Sequence, residues 1–317
     1  MSAGTLHKLR NLLHSVLLVL GMAMLVSLSA WALWGDEGVL WGLTAAILAM
    51  ALSPSVPPSV VLSLYRAQPV SRADLPEVYA GLDELARRAG LPVTPRLYYL
   101  PSSMLNAFAT GSRRAAAIAV TDGMLRNLTL REMLGVLAHE VSHIASGDLW
   151  IMSMADAMSR VTAFMSYVGL FLLALNLPLI ALGQVAVPWL LVFVLLLAPS
   201  VMSLLQLALS RTREFDADLE AARLSGDPEG LASALAILER RQGRLWEGVL
   251  LPGRRVPDPS LLRTHPPTCQ RIRRLMQLRE HRPVLSALRP AVGPVRVPGA
   301  WRSVSRPPRH RWNGLWY

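Results

Sequence analysis

The sequence predicts a mostly α-helical membrane protein that also contains an α+β domain with a small sheet. Hydrophobic residues make up 52% of the 317 residues and charged residues only 17%, whereas soluble domains carry about 25% charged residues. The deficit of charge lies in a few long apolar runs, which indicates a bilayer as solvent. The segments between these runs have the shorter periodic patterns of a folded domain.

Four apolar runs predict four transmembrane helices arranged in two hairpins. The first pair covers residues 12–34 and 39–64, and the second pair covers residues 161–182 and 185–209. A helix that spans a bilayer needs about 20 apolar residues. A buried hairpin of a soluble protein is the alternative, and the length of the runs argues against it.

The charges at the ends of the runs predict the orientation of the chain. Basic residues flank both hairpins, whereas the first turn contains Asp36 and Glu37 and the second turn is uncharged. Short flanking segments rich in Lys and Arg stay on the cytoplasmic side. We therefore expect a multi-pass protein of the inner (plasma) membrane, with residues 66–160, residues 210–317 and both termini in the cytoplasm.

The net charge of +11 comes almost entirely from arginine. The arginines are spread along the non-membrane segments without interleaved aromatic residues, so we do not predict nucleic-acid binding. Cys269 is the single cysteine, which excludes an intrachain disulfide and a cysteine-rich zinc site. Any metal ion must therefore be held by histidines and carboxylates.

A metal-binding pattern lies in the helix predicted over residues 130–145, with Thr129 as its N-cap and Gly147 just after its end. His139 and His143 are four residues apart and therefore share one face, so their ring nitrogens can converge on one ion. Glu140 points to the side of that face, where it can reach a water molecule on the ion but not easily the ion itself. This is the arrangement of a hydrolytic zinc site. A pair of hydrogen-bonded core histidines is the alternative, although the rest of the helix is apolar and makes these polar groups costly without a cation.

A tetrahedral site needs a third protein ligand, and Glu214 is the best candidate. Asp218 follows four residues later on the same helical face, so one carboxylate can bind the metal while the other accepts a hydrogen bond from a ligating histidine. The alternative is a solvated acidic helix start that pairs with neighbouring arginines.

The motifs resemble those of the HtpX family of bacterial membrane zinc peptidases, which are related to the CAAX prenyl endopeptidases. The resemblance extends from the first apolar run to Leu278. It rests on five motifs in order: residues 106–111, residues 137–143, Gly147-Asp148, Ser210-Arg211 with Glu214 and Asp218, and residues 264–267 with Arg271-Ile272.

The resemblance implies a zincin-like catalytic domain in which Glu214 is the third ligand and Asp218 supports the ligands without touching the metal. It also implies that the strand containing Asn106 lies along the active-site cleft and pairs with an extended substrate. Asn106 and His265 would then lie near the scissile carbonyl group.

The predicted function is that of an endopeptidase with one Zn²⁺ per chain and Glu140 as general base, acting on membrane or misfolded proteins in protein quality control. A catalytically inactive scaffold is one alternative, and the complete ligand set argues against it. A transporter is another, but the apolar runs contain almost none of the polar residues that mark a transport pathway.

The predicted organisation has five parts. A transmembrane hairpin (1–65) precedes the first part of the catalytic domain (66–160), and a second hairpin (161–209) precedes its second part (210–280). The first part is expected to contain a helix over residues 74–90 and strands over residues 96–100, 105–111 and 115–121; the second part is expected to contain helices over residues 212–224, 228–241 and 268–280. The Pro- and Arg-rich tail (281–317) is predicted to be disordered.

Overall fold

The computed structural model describes residues 3–52, 58–183, 189–247, 268–278, 295, 297–298 and 301. The chain forms two compact units, one from Met1–Pro54 with Trp150–Arg213 and the other from Ser55–Leu149 with Glu214–Tyr317. The helices are α1 (Ala3–Trp34), α2 (Asp36–Leu52), α3 (Pro58–Leu64), α4 (Pro76–Arg88), α5 (Asp122–Asn127), α6 (Leu130–Ser146), α7 (Asp148–Ala181), α8 (Trp189–Ser225), α9 (Pro228–Glu247) and α10 (Thr268–Gln277), and the strands are β1 (Gln68–Pro69), β2 (Arg96–Leu100), β3 (Ala107–Ser112) and β4 (Ala115–Thr121).

In the first unit, α1 and α2 form a close helical hairpin. Gly35 makes the turn with a φ of 65°, a conformation that glycine adopts without steric cost. A Cβ atom on Gly42 would lie only 2.7 Å from the Cα of Ser27 on α1. Small residues four apart, here Gly38 and Gly42, let two helices approach in this way.

Among the described residues, three helices are long and apolar enough to cross a membrane: Leu13–Trp34, Asp148–Leu175 and Trp189–Ser225. The second predicted run overlaps α2, which has 17 residues and ends at Leu52. Three of the four predicted spans thus have a matching helix, and the span at residues 39–64 remains a prediction.

Helices α7 and α8 are longer than the runs that predict them. Helix α7 begins at Asp148 and has 34 residues, and α8 continues to Ser225 with 37 residues. The predicted boundaries at 160/161 and 209/210 lie inside these helices, and the predicted helix over residues 212–224 is the end of α8. An apolar run marks where a helix is hydrophobic, but helix ends depend on caps and breakers.

The second unit contains a four-stranded mixed sheet in the order β1-β2-β4-β3. Strands β2 and β4 are parallel, while β3 pairs with β4 antiparallel and forms one edge of the sheet. The strands predicted over residues 96–100 and 115–121 are confirmed, and both ends of each match β2 and β4. The short edge strand β1 was not predicted.

Helix α6 crosses the core of this unit and contacts α4, α9 and β3. Thr129 caps it as predicted, in a capping box with Glu132, and Gly147 ends it with a left-handed φ of 73°. Gly135 lies so close to α9 that an added Cβ would be 2.8 Å from the backbone nitrogen of Leu231. The helix that carries the histidines is therefore fixed at both ends and along its length.

The structure describes four positions of the tail that is predicted to be disordered, namely residues 295, 297, 298 and 301. Val295 is 7% exposed, and Val297 and Trp301 pack against the main hydrophobic core of the second unit. These apolar residues are isolated within the Pro- and Arg-rich composition of residues 281–317, so no periodic pattern indicates their burial.

Candidate metal centre

Three predicted ligands meet in the second unit. His139 and His143 come from α6 and Glu214 from α8, and together they form a group that could hold a metal ion. The Nε2 atoms of the histidines are 3.1 Å apart. The carboxylate oxygens of Glu214 lie 3.4 Å from Nε2 of His139 and 3.6 Å from Nε2 of His143.

A carboxylate holds the far side of each histidine ring. Asp218 Oδ1 lies 3.1 Å from Nδ1 of His139, and Asp148 Oδ2 lies 2.8 Å from Nδ1 of His143. Since carboxylates accept hydrogen bonds, these contacts assign the proton of each neutral ring to Nδ1. When both rings are neutral, the lone pairs on the two Nε2 atoms therefore face each other and the carboxylate of Glu214.

Arg271 places its positively charged guanidinium group next to Asp218 and Glu214. It lies on α10 and is 4% exposed. Its Nε and Nη2 atoms donate to the two oxygens of Asp218 at 2.8 and 2.7 Å, and its Nη1 lies 3.4 Å from Glu214 Oε2. The bidentate contact fixes Asp218 in the plane of the guanidinium group, and it thereby fixes the partner of His139.

The electrostatics of the site favour a positive charge between the two rings. Burial lowers the pKa of His143, but hydrogen bonds to Asp148 and Glu214 outweigh burial and raise its pKa to about 10. Burial also disfavours a charged His139, and the carboxylates of Asp218 and Glu214 again raise the pKa above its usual value. The carboxylates that attract a proton would also attract a metal cation.

The residues fit a small tetrahedral cation. Zinc binds histidine nitrogen and carboxylate oxygen at about 2.0–2.2 Å in tetrahedral geometry, which places neighbouring donor atoms about 3.3 Å apart. The Nε2–Nε2 distance of 3.1 Å is close to this value, and so are the contacts of 3.4 and 3.6 Å that the two oxygens of Glu214 make with His139 and His143 respectively. Two histidines and one carboxylate also form the ligand set of hydrolytic metal sites, which leaves one position open.

The structure describes two of the three other predicted site residues, Glu140 and Asn106. Glu140 is half-buried on α6, next to His139. Asn106 immediately precedes β3, where its backbone N–H donates to Thr121 Oγ1 and its carbonyl accepts from the backbone N–H of Thr121, both at 3.0 Å. His265 lies outside the described residues.

Sequence reasoning gave no role to Asp148 or Arg271, although both occur in the motifs that carry the family resemblance. Asp148 is five residues after His143 and directly follows the glycine that ends α6. An acidic residue there can turn back towards the preceding helix, so the sequence held a local signal. Arg271 is 132 residues from His139, and no local pattern could have indicated that contact.

This fold and ligand set define a metallopeptidase-type centre joined to membrane helices. The model of Peptidase family M48 matches residues 73–279, and the chain belongs to this family. It is 38% identical to "Protease HtpX homolog" of Acaryochloris marina, over 83% of this chain and 93% of that protein. The proteins of the same name from Nostoc punctiforme and Methylibium petroleiphilum are 36% and 33% identical, over 68% and 84% of this chain and 75% and 98% of theirs.

Among solved structures, the crystal structure of S. mikatae Ste24p is similar with a TM-score of 0.48 and 17% identity, covering 85% of this chain and 66% of that one. The family and its HtpX relatives identify this chain as a membrane-bound metalloprotease that acts on proteins.

Proposed function

We propose that the chain is a zinc-dependent endopeptidase in which His139, His143 and Glu214 hold the metal and Glu140 is the general base. The observation that carries this proposal is the convergence of the Nε2 atoms of two histidines and one carboxylate on a single point. Asp218 and Asp148 support it by fixing the tautomer of each ring, as carboxylates do behind metal-binding histidines.

Glu140, Asn106 and His265 are proposed to have different roles in peptide hydrolysis. A zinc ion in this site supplies a Lewis acid that polarises a peptide carbonyl and lowers the pKa of water. Glu140 removes a proton from the attacking water and then delivers it to the nitrogen of the leaving amine. Asn106 and His265 are proposed to stabilise the negative charge that develops on the carbonyl oxygen.

The edge strand β3 is proposed to bind the substrate. Among the described strands it pairs only with β4, and it contacts α6, which carries Glu140. An extended peptide can add to such an edge through backbone hydrogen bonds. This mode suits unfolded or misfolded segments, because their backbone groups are not already paired.

We further propose that the site faces the cytoplasm, where the enzyme acts on membrane or misfolded proteins in quality control. The arginine bias around the apolar runs supports this orientation. Helix α8 carries both the last apolar run and Glu214.

Proteolysis by the purified protein in detergent tests the activity. We expect cleavage of casein that is lost with a zinc chelator and restored by added zinc. Glu140→Gln should retain zinc and lower the rate by at least about 10²-fold, the contribution of a general base. Zinc-dependent cleavage at the wild-type rate by the Glu140→Gln variant would refute the assignment of the base, and no cleavage by the wild type would favour the inactive scaffold.

Cysteine labelling in intact cells tests the orientation. In a Cys269→Ala background, a single cysteine at Gly183 should react with an impermeant thiol reagent, while one at Ser146 should not. Both positions are exposed, so accessibility within the fold does not decide the result. The reverse labelling pattern would place the active site outside the cytoplasm.

A further inference from the structure

The C-terminal anchor, which we define as Val295, Val297, Pro298 and Trp301, lies beyond the family match that ends at residue 279. Its two valines and Trp301 pack against the main core of the second unit. The anchor therefore contacts core residues that belong to the family domain.

Trp301 closes a ring of four contacts. Its indole stacks on the ring of Tyr99 at a centroid distance of 4.4 Å, and its carbonyl accepts a hydrogen bond of 2.6 Å from Nη2 of Arg126. Tyr99 donates its hydroxyl to Asp122 Oδ1 at 3.1 Å, and Nε of Arg126 donates to the same carboxylate at 2.8 Å. The Asp122 side chain is 3% exposed, so its charge depends on these partners.

The start of α5 joins this ring to the segment that leads into β3. The backbone N–H of Gly123 donates to the carbonyl of Ser102 at 2.9 Å. A Cβ atom on Gly123 would lie 2.3 Å from the carbonyl oxygen of Ser103 and 2.6 Å from that of Met104. The backbone of residues 103 and 104 therefore lies so close to the start of α5 that position 123 has no space for a side chain.

The last link is the contact between Thr121 and Asn106. The side chain and backbone of Thr121, directly before Asp122, exchange three hydrogen bonds of 3.0 Å with the backbone of Asn106. Trp301 is thus connected through Tyr99, Asp122 and Thr121 to Asn106, the residue immediately before the edge strand β3.

We propose that the C-terminal anchor positions the substrate-binding edge: Trp301 holds α5 and residues 102–106 in place and thereby sets the register and rigidity of β3. The proposal rests on the proposed function, in which β3 binds the substrate. The anchor does not touch the metal ligands in any described contact, so its loss should weaken substrate binding more than the chemical step.

Two truncations of the full-length enzyme separate the anchor from the rest of the tail. A chain that ends at Pro294 lacks the anchor, and a chain that ends at Arg302 keeps it. We expect the shorter chain to have a KM for an extended fluorogenic peptide that is raised by about three- to tenfold, the upper part of the change in equilibrium that an aromatic pair provides. Its kcat and zinc content should stay within about twofold of wild type, and the chain ending at Arg302 should match wild type in all three values.

Point variants and hydrogen exchange exclude a general loss of stability as the cause. Trp301→Ala should raise KM and speed amide exchange at residues 102–112, whereas Trp301→Phe, which keeps a stacking ring, should restore both values. Exchange in α6 should not change, because that helix has its own caps.

The proposal is overturned if both truncations share one KM and one exchange pattern, or if losing the anchor lowers kcat and zinc content instead of raising KM. Failure of the proposed function looks different, because the wild-type enzyme itself would then show no zinc-dependent cleavage.

Discussion

The candidate metal centre is built from two regions that the chain specifies in different ways. The local half is the segment Thr129–Asp148, which provides both histidines, Glu140 and the carboxylate behind His143. The assembled half consists of Glu214, Asp218 and Arg271. Asp148 lies five residues from the histidine that it holds, whereas Arg271 lies 53 residues from Asp218 and 132 from His139.

The difference lies in what holds each half in place. The local half is fixed by a capping box, a left-handed glycine and the helical spacing of its side chains, all of which act over a few residues. The assembled half depends on buried charges that compensate one another, because Arg271 contacts Asp218 and Glu214 at once. Mutations in the assembled half should therefore affect both stability and metal binding, whereas those in the local half can affect one alone.

The largest effect is expected from Arg271→Met. Removing the guanidinium group leaves Asp218 and Glu214 buried without their cation, and breaking a buried charge pair costs about 3–5 kcal/mol. We expect a loss of this size in the free energy of unfolding, measured by chemical denaturation in detergent, and metal affinity that is lower by about 10–100-fold.

Arg131→Met is the matched control for this variant. Arg131 also binds an aspartate from a distant segment, Asp227, but its side chain is 42% exposed. Solvent-exposed pairs contribute about 0–1 kcal/mol. Equal losses of stability in the two variants would show that the buried charges of the assembled half have no special role.

A smaller effect is expected from Asp148→Asn. The amide oxygen of asparagine can still accept the Nδ1 hydrogen bond of His143, but the negative charge that strengthens this bond is lost. Metal affinity should fall by about tenfold, as measured by competition with a chromogenic chelator. The loss of unfolding free energy should be smaller than in Arg271→Met, and a larger one would reverse the ranking of the two halves.

The smallest effect is expected from Thr129→Ala, which removes the N-cap of α6. The hydroxyl accepts a hydrogen bond from the backbone N–H of Glu132, and losing such a cap costs about 1 kcal/mol. Thermal denaturation should show this loss, while metal affinity and kcat remain at wild-type values. A large drop in metal affinity would mean that the cap also orients the histidines.

The local half could be predicted from the sequence because its signals are short-range. Thr129 and Gly147 marked the ends of α6, and the spacing of His139 and His143 placed both on one face. The strands at residues 96–100 and 115–121 were predicted for the same reason, since β-forming residues there are bounded by turn residues.

The rest depended on contacts that a single sequence does not display. Glu214 and Asp218 were predicted as a pair, but the unbroken course of α8 was not, because the helix was predicted to end where its apolar run ends, although no breaker lies there. The role of Arg271 and the docking of Trp301 both arise from tertiary packing across long loops. The number of spans is similarly undecided by pattern alone, since α2 ends at Leu52 within the second apolar run.

Zinc content tests the central claim most directly, because it reports the ligand set without requiring a substrate. Glu214→Ala is compared with Glu220→Ala, which lies on the same helix and pairs with Arg223 at its surface. Elemental analysis should find about one zinc per chain in the wild type, in Glu140→Gln and in Glu220→Ala, and almost none in Glu214→Ala. Equal zinc in Glu214→Ala and Glu220→Ala would contradict the assignment of Glu214 as the third ligand and the metal centre built on it.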